Sequence, residues 1–288
     1  MAELPHLMLT AWFESVRSGS AAYALIDMAA MHSEQSINQA LKQLHAAGAI
    51  SVLQDARPQA ERATPWLLPL GSSDEQGSKR LSKTLDWSLL GPCVTWLDSH
   101  LPAHELASRL RQRTQAQLPQ NHPVLLRCYD PRVLPELHRV LRPAQAEAYW
   151  ALGYTWAYLD RAQQFQTIAL STAPHVDSFE SPLHLDQNQF ETLLAASEVD
   201  SVMPELAREA PEAFLALPAN QRTPFTRRCL KLADDWGVQA FAQRVMVGVL
   251  ALKLGEDFHL QATWLPWIHQ LKQGKIDLIQ AIESASAI

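Results

Sequence analysis

Val124-Leu125-Leu126-Arg127-Cys128-Tyr129-Asp130-Pro131-Arg132-Val133 reads as the corner of a sheet, an apolar strand that runs out into two arginines, a tyrosine and an aspartate. Val124, Leu125 and Leu126 have the continuity of a buried strand. Asp130-Pro131 then reads as a turn into a helix, because proline presets φ for the first helical position and an aspartate before it caps free amides. Arg127 falls at the strand exit, within reach of a carboxylate. Two readings of the corner stay open. One is a structural ion pair that fixes the bend. The other is a recognition patch of Arg127, Tyr129 and Arg132, since arginine and tyrosine are enriched where proteins grip one another.

Working outward, residues 23–26, 50–53, 66–68 and 94–97 are further short apolar runs with strand character. Helical patterns fit between them. Residues 33–47 place Ile37, Ala40, Leu41 and Leu44 on one face and stop at Gly48, and residues 104–118 offer Leu106, Ala107, Leu110 and Leu118. Residues 165–170 read as one more strand, entered through a hairpin turn at 160–164, so a purely parallel sheet is not expected. Three polar connectors, 54–64, 71–80 and 115–123, read as exposed loops.

After Leu170 the composition changes to prolines, histidines and short polar residues, and only helical patterns follow. Phe190, Leu193 and Leu194 mark one helix, and Leu206 marks a second that stops near Pro211. Phe241, Val245, Val249 and Leu252, widened by Met246, Val247 and Leu250, mark a helix packed on several sides. The expected fold class is α+β: an α/β-like mixed-sheet N-terminal lobe (1–170), a linker (171–185) and an all-helical C-terminal lobe (186–288).

Composition narrows the function classes. With 288 residues, 47% of them hydrophobic, the chain can bury a sizeable core. A formal net charge of -6 argues against a general binder of nucleic acid or anionic membrane. The longest apolar run, 245–252, falls far short of the roughly 20 residues that span a bilayer. Glu3 stands where a signal peptide carries a basic residue, so a cytoplasmic location is expected. Cys93, Cys128 and Cys229 are odd in number and widely spaced, which fits reduced, buried thiols.

Familiar catalytic signatures do not fit. Gly71 to Lys79 has five residues between its glycines and no lysine after the second, and Asp74 and Glu75 oppose a phosphate. There is no G-x-G-x-x-G after a strand and no G-x-S-x-G elbow. His100 and His104 are spaced for one helical face, but Pro102 lies between them. Arg109, Arg111 and Arg113 alternate along a helix and read as a solvated face. Asp27 and Asp130 each end a strand and can meet at one sheet edge. As an acid and base pair they suit a hydrolase or transferase, and as partners of Arg127 they are structural. A small-ligand sensor is a further class, and it would enclose a pocket lined by the tryptophans.

Tyr23-Ala24-Leu25-Ile26-Asp27, Thr64-Pro65-Trp66-Leu67, the stretch Leu126 to Leu134 with its Arg-x-Tyr-Asp-Pro-Arg core, and residues 145–156 resemble, in that order, the domain of unknown function 4123. Ala233-Asp234-Asp235-Trp236-Gly237 is similar to the tails of such proteins, and Cys128 stands where the family often has an aromatic residue. The resemblance implies a bacterial cytoplasmic adaptor or chaperone of type VI secretion systems. Such a protein binds one cognate toxic effector, helps load it onto the VgrG spike, and performs no catalysis. It implies no cofactor, metal, nucleic acid or stable membrane insertion. Asp27, Trp66, Arg127, Tyr129, Asp130 and Arg132 become residues that contact the partner or shape a groove for it, and that groove is expected between the two lobes.

Overall fold

The computed structural model describes residues 3–31, 33–53, 60–71, 74–170 and 177–286. The chain divides into two compact units, residues 1–194 and 195–288.

The first unit is built from α1 (Glu3–Glu14), β1 (Ala21–Asp27), α2 (Glu34–Ala46), β2 (Ile50–Ser51), β3 (Pro65–Gly71), α3 (Glu75–Leu90), β4 (Val94–Ser99), α4 (Ala103–Arg113), β5 (Gln115–Leu118), β6 (His122–Leu125), α5 (Leu134–Val140), α6 (Pro143–Tyr149), β7 (Thr155–Leu159), β8 (Phe165–Ala169) and β9 (Leu183–His184). Six strands form one sheet in the order β2-β3-β1-β4-β7-β8, and every neighbouring pair is antiparallel. The fold is α+β as expected, but this sheet is not mixed. The alternation of strands and helices misleads on this point because α3 connects β3 to β4, which are parallel to each other yet separated by β1. A helical crossover of that split kind satisfies its own geometry while leaving every direct neighbour antiparallel.

Both faces of the sheet are covered, which explains why β1 and β4 are buried almost from end to end. Ala22, Ala24 and Ile26 pack with α1, α2 and α3 through Leu9, Phe13, Leu44, Leu81 and Leu85. Tyr23 and Leu25 face the opposite layer, where Leu106 and Leu110 of α4, Leu134 and Leu137 of α5, and Tyr149 of α6 form a second core. Gly153 has no room for a side chain, since a Cβ there would lie 2.2 Å from the Asp98 carbonyl oxygen. The hairpin between β7 and β8 turns at residues 160–164 as read from sequence, with Asp160 Oδ1 accepting from the amides of Ala162 and Gln164.

Several local expectations are corrected. The helix from Ala103 stops at Arg113, and Leu118 belongs to β5. The connector 115–123 therefore holds a strand and leads into β6. Most of 71–80 is the beginning of α3, capped by Asp74, whose carboxylate accepts from Gly77 N. Of the connector 54–64, residues 54–59 lie outside the described residues, and Ala60–Arg62 form a 3-10 turn. Val124 and Leu125 are exposed on β6, an edge strand of a small sheet ordered β6-β5-β9, and the chain becomes buried only at Leu126. Pro131 does not open a helix. α5 begins at Leu134, after Asp130 has folded its carboxylate back onto Arg132. Part of the expected linker, 171–176, lies outside the described residues. Its remainder packs in the first unit through Leu183 and Leu185.

The second unit is helical. It contains the later part of α7 (Gln187–Glu209), then α8 (Pro211–Ala216), α9 (Ala219–Asp235), α10 (Phe241–Leu254), α11 (Leu265–Lys272) and α12 (Leu278–Ser286). The two helices expected before Pro211 are one, continuous through Pro204. Its core joins Val199, Val202 and Leu206 to Phe225, Cys229, Val245 and Val249. Gly248 lets α10 approach α7 closely, since a Cβ there would meet Leu206 Cδ2 at 2.7 Å. α10 is buried along Val245, Val247 and Val249, while Phe241 and Met246 are exposed. Arg244, inside this apolar helix, holds Glu198 of α7 and donates to Asp234 Oδ1 at 2.6 Å and to the Val238 carbonyl at 2.9 Å. The Ala233 to Gly237 stretch thus supplies an anchor for a buried arginine. All three cysteines are free and buried. No described helix is long and apolar enough to cross a membrane.

Candidate functional site

Asp27 is the last residue of β1, and its backbone N–H donates to the Cys93 carbonyl at 2.8 Å. Its Oδ1 accepts from Ala29 N at 3.0 Å and so caps the one-turn helix Met28–Ala30. The other oxygen accepts from Arg127 Nη2. The same Arg127 nitrogen lies 3.3 Å from Asp130 Oδ2, which bridges the two carboxylates. Asp130 in turn accepts from Arg132 three times: from its backbone N at 2.9 Å, from Nε at 3.0 Å and from Nη2 at 2.8 Å. The Asp130 carbonyl takes the amides of Val133 and Leu134 and leads the chain into α5.

The carboxylates are buried, with side-chain exposures of 1% for Asp27 and 2% for Asp130, whereas Arg127 and Arg132 retain 36% and 30%. Four formal charges cancel within the cluster, and only its cationic side reaches solvent. Burial raises the Asp27 pKa above the ordinary carboxylate value, against the hydrogen bond and charge of Arg127, which pull it down. Burial works to lower the Arg127 pKa, but Asp27 outweighs it and the net shift is upward. Burial and the neighbouring Asp27 charge push the Cys93 thiol up to about 12, which keeps it neutral. Tyr129 is 2% exposed, and burial raises its phenol as well. Its carbonyl receives Thr95 Oγ1 from β4 at 3.5 Å.

Five of the six residues singled out from sequence therefore come together at one end of β1 and β4. Tyr129 is inside the protein, so Arg127 and Arg132 are the members that meet solvent. Trp66 stands apart. It packs in the core on the opposite face of the sheet, edge-on to His45 at 4.9 Å, and its indole donates to the Glu61 carbonyl at 3.2 Å. Chemically, Asp27 and Asp130 are each engaged by a guanidinium, and the arrangement makes a charged clamp that ties β1, β4 and the chain entering α5.

Sequence reading missed a second arginine cluster. Arg113, which reads as part of a solvated face, is completely buried. It donates to both oxygens of Asp177, at 2.9 and 2.7 Å, and to the carbonyls of Tyr149, Ala148 and Arg109. Its guanidinium lies 4.6 Å from the centre of the Phe179 ring. Arg109 is also buried, and pairs with Glu105 at 2.6 Å and reaches the Ala151 carbonyl at 3.3 Å. Arg111 donates to the Val52 carbonyl at 2.7 Å. The available signal was the spacing of four between Arg109 and Arg113, parallel to Leu106 and Leu110, which puts both arginines on one helical face.

The family comparison bears on the corner directly, because the model for Domain of unknown function (DUF4123) matches residues 22–148, which contain the whole Asp27, Arg127, Asp130 and Arg132 cluster. The chain carries a DUF4123 domain. The domain begins in β1 and ends in α6, so it includes four of the six strands of the large sheet and excludes the β7-β8 hairpin that completes it. The Arg113 cluster has one foot in the DUF4123 domain and one outside, at Asp177. No curated protein and no solved structure matches this chain.

Proposed function

We propose that this DUF4123 protein is a non-catalytic adaptor of a type VI secretion system, which binds one cognate toxic effector in the bacterial cytoplasm and promotes its loading onto the VgrG spike. The observation that carries the reading is the DUF4123 domain itself, together with what its most distinctive residues do. Arg127, Asp130 and Arg132 serve as a clamp that shapes the end of the sheet, and both carboxylates available for acid and base chemistry are committed to arginines. Large apolar side chains remain exposed in the helical unit, including Leu215, Leu260 and Leu265, each more than half exposed. Such side chains suit protein contact when they gather in a patch.

The test is co-expression with the proteins encoded beside it, including any VgrG and candidate toxin, followed by affinity capture and size exclusion. The expected result is a stoichiometric complex with one neighbour, and loss of that neighbour's solubility when this protein is omitted. No complex with any neighbour would overturn the reading. Capture also separates the two roles of the cationic rim. If Arg132→Ala leaves both folding and capture unchanged, Arg132 is not a contact residue.

A further inference from the structure

The layer of helices on the α1 side of the sheet contains a groove of about 340 Å³ between α2 and α3, open to solvent and remote in sequence from the Arg127 clamp. Its exposed apolar surface comes from Ala46 at the end of α2 and the adjacent Ala47, over a buried floor of Leu44, Leu68 and Trp87. Its wall carries Lys79, Arg80 and Lys83, and no acidic side chain lines it among the described residues. In a chain of formal net charge -6, three cations over an apolar surface make a local exception.

These cations are not consumed by structural pairing to equal degrees. Lys79 meets Glu75 at 2.7 Å, but both are largely exposed, and such a pair is worth little. Arg80 spends one nitrogen on the Pro69 carbonyl at 2.8 Å and has no carboxylate partner among the described residues. Lys83 has none either, and its ammonium sits 5.9 Å from the centre of the Trp87 ring. Both are only partly exposed, so their aliphatic stems extend the apolar surface while their charged ends remain at the rim. Gln43, also lining the groove, has a buried Oε1 with no hydrogen-bond partner.

We infer that the groove between α2 and α3 docks an acidic segment of a protein partner, with aliphatic side chains against Ala46, Ala47 and the stems of Arg80 and Lys83, and carboxylates on the charged ends of Arg80 and Lys83. Charge complementarity selects this occupant over a basic or a purely apolar one. The inference rests on the adaptor reading for the partner being a protein, and it places the partner's acidic character on a surface separate from the clamp.

The test uses the full chain and a fluorescein-labelled helical peptide with leucine on one face and glutamate on the other, titrated by anisotropy. A counterpart with lysine for glutamate and a labelled single-stranded oligonucleotide serve as rivals. Saturable binding of the acidic peptide is expected, weakened about tenfold or more by Arg80→Glu/Lys83→Glu and weakened by added salt. Gln76→Trp, at an exposed groove position, should obstruct the site without touching the Arg80 bond to Pro69. Failure of the acidic peptide to bind, equal binding by both groove variants in a folded state, or equal or better binding of either rival overturns the inference. Co-expression keeps the two proposals distinguishable. A neighbour captured equally by wild type and by the double variant removes the groove and leaves the adaptor. Peptide binding that depends on Arg80 and Lys83, with no neighbour captured, removes the adaptor and leaves the groove.

Discussion

The first unit contains two arginine clusters of similar composition and opposite character. Around Arg113 the guanidinium is completely buried, and its bonds reach a bidentate aspartate and three backbone carbonyls. Around Arg127 it is the carboxylates that are buried, the arginines reach solvent, and Arg127 Nε is buried without a partner. A buried charge holds its place only when nearly every donor is satisfied. By that standard the Arg113 cluster is a finished structural joint. The Arg127 clamp keeps cationic surface in reserve, which is the property a binding site needs. The one that stands out in sequence is the less complete of the two.

Breaking the comparison at its stronger end should have the largest effect. Arg113→Ala removes the bidentate partner of Asp177, which keeps only the Phe179 amide at 3.2 Å and Arg109 Nε at 3.8 Å, and removes the Arg113 donors to the carbonyls of Tyr149 and Ala148; it is expected to cost about 3–5 kcal/mol in urea unfolding. A loss below about 1 kcal/mol would contradict the satisfied-joint description. Arg127→Ala strands a buried Asp27, but the partly exposed arginine and the remaining Arg132 pair reduce the cost, to about 1–3 kcal/mol. Asp27→Asn in the Arg127→Ala background should then recover part of that loss. A double-mutant cycle with no coupling would show that the ion pair between them carries no net energy.

Smaller changes sharpen the contrast. Arg132→Ala leaves Asp130 with Arg127 and is expected to cost about 1 kcal/mol or less, read from a denaturation midpoint at unchanged slope. The pH dependence should differ in sign. Burial tends to raise the Asp177 pKa, but Arg113 outweighs it and the folded value is lowered. Its stabilising contribution is therefore present above the ordinary carboxylate value of 3.8 and is lost as pH falls through the lowered one. Asp27 has a raised folded value, so the folded state takes up its proton first and this group's contribution grows more favourable as pH falls toward 3.8. On acidification the stability of wild type relative to Asp177→Asn should fall, while the stability of wild type relative to Asp27→Asn should rise. Parallel slopes would remove the electrostatic distinction between the clusters.

What the sequence determined by itself is local. Residues 23–26, 66–68 and 94–97 lie in strands because a sheet covered on both faces demands continuous apolar runs, and Ser33 and Gly48 bracket α2 because helix ends need those chemistries. The meeting of Asp27, Arg127 and Asp130 was legible too, since charged residues at strand ends have few places to go. Tertiary structure alone decided the rest. Antiparallel order follows from β1 inserting between β3 and β4, which no helical or strand period encodes. Exposure of Val124 and Leu125 goes with their place on an edge strand, where apolar continuity says nothing of neighbours. Burial of Arg113 depends on Asp177, which is 64 residues away, and on carbonyls from the end of α6. Local pattern records which face a side chain occupies. Whether that face meets water or a distant carboxylate is decided only when the chain returns to cover it.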